Sequence, residues 1–188
     1  MLVKNLSKKL FSITALFCVS LATSGTAAAA GVITGDNYPA AWKNRGKDSF
    51  VTVFGMNREC VSFAAWKIYV DAGGRMVPAG ATAPADWAKF SINVSGQWGD
   101  AGKWYAYARS HGVPANQDPT VGSIAHWDSN FKPGKMPLGH VGVIKAVNRD
   151  GSIDIEQYNW LNDGKYSVVH FAKGDTWRPH NFIHFHGH

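Results

Sequence analysis

Two side chains in this sequence could together break an amide bond, Cys60 and His140. A cysteine sulfur is a strong nucleophile once it gives up its proton, and a histidine can take that proton and later pass it to the leaving amine. Cys60 follows Asn57-Arg58-Glu59, and Asn57 reads as the N-cap of a helix over 58–72 that Gly73-Gly74 would end. That register puts Cys60 third in the helix. Unpaired N–H groups and the helix dipole there favour an anion, so a lowered thiol pKa and a thiolate–imidazolium pair are expected. The bland alternative is a buried core cysteine.

Eight histidines compete for the role of base. His140 opens the apolar run His-Val-Gly-Val-Ile after Pro137 and Gly139, which places its ring at a sheet end. His126 lies within a strand and His170 near the end of another. His184, His186 and His188 alternate along the last segment, which could suggest a metal face. No further ligand motif accompanies them, and neither a metal nor any other cofactor is expected.

The sequence also proposes what orients His140. Asp150-Gly151 between two strand-like runs signals a two-residue hairpin loop. Gly142 then faces Asn159, Ile144 faces Gln157, and His140 shares a sheet face with Gln157 and Asn159 while Glu156 points to the other. Asn159 is the nearer in this register, one diagonal step away. A three-residue loop would invert the faces and bring Glu156 in. Of the eight tryptophans, Trp98, Trp104, Trp127 and Trp160 could line a groove. Trp104 fits a core position by its helical spacing, and Trp160 and Trp127 are the candidates for substrate contact.

These residues need elements to hold them. Residues 31–50 read as an irregular lead-in, and helices are expected over 58–72, 85–90 and 100–110. Strands follow over 121–127, 140–148, 152–160, 166–171 and 181–186. The order implies an α+β domain, N-terminal helices packed on an antiparallel sheet of about five strands.

Residues 1–30 read as a leader. Lys4, Lys8 and Lys9 precede an apolar run, and small residues through Ala30 follow, the pattern of a secretory signal peptide cleaved after Ala29 or Ala30. Its roughly twelve apolar residues fall short of the about 20 a membrane span needs. Export would leave residues 31–188 as one domain, with Cys60 as its single cysteine and no membrane span. Lys+Arg would fall from 19 to 16 against 13 acidic residues, a net charge of +3 instead of +6. That mild excess suits a polyanionic wall and is too weak to argue for nucleic acid. A secreted or wall-associated monomer is expected.

The motifs together resemble the CHAP family, the cysteine, histidine-dependent amidohydrolases/peptidases. Asn57-Arg58-Glu59-Cys60-Val61-Ser62-Phe63-Ala64-Ala65-Trp66 resembles its nucleophile segment. Gly139-His140-Val141-Gly142-Val143-Ile144 is similar to its histidine strand. Val121–Trp127, Asp150–Ile153, Glu156–Trp160 and Phe182–Phe185 match further motifs in order. The resemblance implies a papain-like fold and cleavage of a peptidoglycan amide, either the N-acetylmuramoyl-L-alanine linkage or a peptide bond. It carries Cys60 over as nucleophile and His140 as base. The family often has Glu-x-Asn where this chain has Gln157-x-Asn159, so orientation falls to those two amides. The replaced acid also leaves open a secreted wall-binding protein or surface antigen without turnover. The same residues could perform acyl transfer instead of hydrolysis.

Overall fold

The structure is a computed structural model and describes residues 32, 34–52, 54–71, 98–132 and 136–185. The expected leader, the 85–90 helix, the Gly73-Gly74 helix end, and His186 and His188 lie outside the described residues. A short helix α1 (Ala40–Lys43) and a two-stranded ribbon, β1 (Val51–Thr52) and β2 (Gly55–Met56), lead into the helix α2 (Cys60–Asp71). A 3-10 turn (Ala101–Lys103) runs into α3 (Trp104–Ser110). The remaining strands are β3 (Ala115–Asn116), β4 (Ile124–Trp127), β5 (His140–Val147), β6 (Ile153–Tyr158), β7 (Tyr166–Phe171) and β8 (Asn181–Ile183).

Strands β3 to β8 form one antiparallel sheet in the order β3-β8-β4-β5-β6-β7. It has six strands where about five were expected. The extra one, β3, is two residues long and pairs Ala115 with Ile183 and Asn116 with Phe182, too short to leave a periodic signature. The class is α+β and papain-like.

Helix α2 is buried almost all round, with Cys60, Phe63, Ala64, Trp66, Lys67 and Val70 buried along it. It packs on the sheet face that carries Ile124, Val141, Val143, Tyr158 and Ile183. The opposite face holds a smaller cluster of Ala125, Trp127, Ile144, Ile153, Ile155, Phe171 and Phe182. The central strands are thus apolar on both faces, and burial at this density is the main force holding the helix to the sheet.

Among the described residues, no helix is long and apolar enough to cross a membrane.

Candidate active site

The helix begins two residues later than expected, and the reason is local. Arg58 has a left-handed backbone, φ 64°, which no α-helix accepts. Its N–H donates to the Tyr38 hydroxyl and its Nε to the Gly164 carbonyl, contacts from distant segments that hold it out of the helix. The first intrahelical bond runs from Phe63 N to Glu59 O at 3.1 Å, so Glu59 occupies the cap position and Cys60 is the first helical residue. Asn57 is not a cap. Its buried amide donates to the carbonyls of Trp42 and Gly46 and accepts from Phe50 N, stapling the lead-in to the helix start.

Cys60 keeps only 7% of its surface exposed. The backbone amides of Val141, the residue after His140, and of Val61 lie near enough to the sulfur to favour its anion. The start of the helix and the start of the strand thus meet at one cleft.

His140 opens β5, as expected, and its Nε2 lies 2.9 Å from Gln157 Oε1, both residues buried. A carbonyl oxygen only accepts, so Nε2 carries the proton and Nδ1 is left as acceptor. Trp127 meets the ring edge-on at 5.5 Å and Trp160 at 5.1 Å, fixing its plane.

Two local departures from the expected hairpin cancel here. The turn is one residue longer than expected, because Asn148 N bonds Ser152 O across Arg149, Asp150 and Gly151. A bulge then inserts Lys145, since Ile144 faces Ile155 while Ala146 faces Asp154. Each shift alone would swap the sheet faces. Together they restore them, so Gln157 stays with His140 and Glu156 points to α2. The net slide brings Gln157 opposite Gly142. A Cβ on Gly142 would come within 2.5 Å of Ile155 Cγ2 and 3.3 Å of Gln157 Oε1, so the bare glycine makes room for the amide that holds the imidazole.

Asn159 does not make the contact expected of it. Its Nδ2 donates to Glu59 Oε2 at 2.7 Å, and its Oδ1 accepts from Gly164 N at 2.7 Å. It lies just past β6 with φ 62°, turning the chain away from the sheet. Its partner Glu59 is also held by Lys47 at 2.9 Å. Sequence reasoning passed over Glu59, although a carboxylate adjoining the cysteine was a visible signal.

Cys60, His140, Glu59, Asn159 and Trp160 all line one cleft of about 660 Å³. Trp127 does not. It is 1% exposed, and its Nε1 donates to the Trp177 carbonyl, so it backs the imidazole from beneath and cannot touch substrate. Trp98 and Trp104 are core residues. The other described histidines sit elsewhere. His126 is buried against Tyr105, His170 pairs with Asp154, and His184 bonds Thr120 and Asn116. Among the described residues, no three His, Cys, Asp or Glu side chains gather as metal ligands would.

The electrostatics run opposite to the expected ion pair. Burial pushes the Cys60 thiol up to about 12, with Glu59 adding to the rise, and the Val141, Val61 and Cys60 amides only partly offset it. Burial drives His140 down to about 4, against the pull of the Gln157 bond. A helix start favours an anion, but here the loss of water outweighs it. Burial thus favours a neutral thiol beside a neutral imidazole.

Several known proteins are similar to this chain. It is 31% identical over 94 residues to the probable autolysin LDP of Staphylococcus aureus, covering 44% of this chain and 32% of that protein. It is 34% identical over 97 residues to the N-acetylmuramoyl-L-alanine amidase sle1 of Staphylococcus epidermidis, covering 52% of this chain and 28% of that one. The chain thus spans about a third or less of the length of these relatives. A crystal structure of an N-acetylmuramoyl-L-alanine amidase from Staphylococcus aureus superposes with a TM-score of 0.52 at 17% identity, over 74% of this chain and 34% of that chain, a likeness of fold. The family model of the CHAP domain matches residues 51–159, more than half of the sequence, and the chain belongs to the CHAP domain family.

Proposed function

We propose that the protein is an exported peptidoglycan hydrolase that cleaves an amide bond with Cys60 as nucleophile and His140 as its proton acceptor. The observation that carries this is the junction at the cleft. Cys60 and His140 line the same cleft, and His140 is locked by Gln157 so that Nδ1 is its open nitrogen. Because both groups rest neutral, the thiol proton moves to Nδ1 as the sulfur attacks the carbonyl carbon. The new oxyanion is met by backbone N–H groups at the start of α2, that of Cys60 included. The imidazolium then protonates the departing amine, and a water deprotonated by His140 hydrolyses the thioester and restores the thiol. Trp160 packs against the imidazole and lines the cleft, which supports it as the residue that touches substrate. Family membership and the names of the relatives, an autolysin and an amidase, support peptidoglycan as substrate. The leader pattern and a relative named as a secretory antigen support export.

Mass spectrometry of purified peptidoglycan after incubation with the protein tests the reading. New lactyl carboxyl ends on N-acetylmuramic acid would mean an amidase, and new peptide amines an endopeptidase. Release of neither would contradict hydrolysis. The deep burial of the thiol favours one second reading, a wall-binding protein without turnover. It predicts retention on the same walls with no product.

A further inference from the structure

The lead-in before the family-matched region is built into the core by a closed polar clasp. Lys67 of α2 and Glu156 of β6 form an ion pair at 2.7 Å with both side chains at 0% exposure. The pair grips the backbone of one residue from both sides. Gly35 N donates to Glu156 Oε2 at 2.6 Å, and Lys67 Nζ donates to Gly35 O at 3.3 Å. The Tyr166 hydroxyl adds a third bond to Glu156 Oε2 at 2.9 Å. The next residues continue the seam. Tyr158 donates to Asp36 Oδ1, Trp66 Nε1 to Asn37 O, and the buried Tyr38 hydroxyl pairs with Ser62. Gly35 has φ 97°, open to glycine and strained for other residues.

A buried ion pair contributes little net stability over apolar packing, so its presence calls for another reason, and its location supplies one. Lys67 lies about two turns along the helix that begins at Cys60, and Glu156 immediately precedes Gln157, the residue that holds His140. We infer that Lys67 and Glu156, closed over Gly35, are positioning residues that set the helix carrying Cys60 against the strand carrying Gln157. On this inference, residues 35–38 form part of the active frame. The inference rests on the proposed reading of Cys60 and His140 as the reacting pair. Neither clasp residue touches the reacting atoms. They act through helix and strand, where a displacement near 1 Å can cost as much as about a hundredfold in rate.

The test uses the full chain and reads kcat and KM separately on soluble peptidoglycan fragments, at a temperature where circular dichroism reports each variant fully folded. Gly35→Pro removes the N–H that Glu156 accepts and forbids the positive φ. Gly35→Ala keeps the N–H, and its Cβ meets no atom within 4 Å. The inference expects kcat to fall about tenfold or more in Gly35→Pro, with KM within about twofold, and Gly35→Ala to lie between it and the wild type. Should Gly35→Pro not fold, Glu156→Gln carries the test at equal volume with the same split expected. Wild-type kcat in a folded variant overturns the inference, since a merely stabilising clasp lowers the melting temperature and nothing else. A raised KM at unchanged kcat also overturns it. Cys60→Ala, run alongside, separates the two levels of the argument. Activity in that variant defeats the parent reading, while its inactivity beside a fully active Gly35→Pro defeats the clasp alone.

Discussion

Replacing Gln157 with glutamate puts a negative charge where a neutral amide now orients the imidazole. The oxygen it replaces lies 2.9 Å from His140 Nε2, with Gln157 at 0% and His140 at 6% exposure. Unit charges about 4 Å apart attract by about 4 kcal/mol at an effective dielectric near 20. At 1.36 kcal/mol per pKa unit, that is about three units of upward pull on the imidazole. Desolvating the new carboxylate offsets part of it, leaving a rise of roughly one to two units. In the wild type burial holds His140 at about 4, so the neutral base survives well into acid. In Gln157→Glu the base is protonated at higher pH, and activity is lost as pH falls through about 5 to 6. The assay is kcat/KM on soluble peptidoglycan fragments from pH 4 to 9. We expect the acid limb to move up by at least one unit, with rates near pH 7.5 little changed and no new alkaline limb below pH 9, because the thiol titrates near 12. An acid limb that stays in place, or an alkaline limb that moves instead, would refute the neutral-pair reasoning and favour a preformed ion pair.

Two further predictions follow from burial at the same strand. Gly142→Ala forces a methyl against Ile155 and Gln157 and should cost about 1–3 kcal/mol in urea unfolding together with most of the activity. A wild-type melt and rate would contradict the crowding argument. His140 also makes stability depend on pH. Its folded value, about 4, lies below the 6.5 of the unfolded chain, so the unfolded state binds the proton first. Its contribution is complete above pH 6.5 and shrinks as pH falls towards 4, by about 3 kcal/mol in all. Urea titrations over that window should show a shallower slope in His140→Leu, and an unchanged slope would mean that other groups carry it.

How far the sequence foretold this site can be traced residue by residue. Period and turn chemistry located β5, β6 and β7 closely, because apolar central strands bounded by Gly, Asp and Asn leave local marks. They also put Cys60 at a helix start and His140 at a strand start. The exact helix start was hidden, since Arg58 is held out of the helix by Tyr38 and Gly164, partners 20 and 106 residues away. The bulge at Lys145 carries no side-chain signature, and only its cancellation with the longer turn kept Gln157 on the expected face. The burial of Trp127 and the Lys67–Glu156 pair arises from packing between segments far apart in sequence, which spacing alone does not encode. The pKa shifts depend on that same packing, and this is why burial favours a neutral thiol where the helix start alone led to a thiolate.

The most direct measurement is digestion of purified peptidoglycan by Cys60→Ala beside the wild type, with circular dichroism and thermal melting to establish that both are folded. Removing the sulfur takes away the bond-forming atom and leaves the cleft otherwise intact. The account predicts that amide products from the variant fall by about a thousandfold or more, as loss of a nucleophile does elsewhere. Products released by a folded Cys60→Ala protein at the wild-type rate would contradict it.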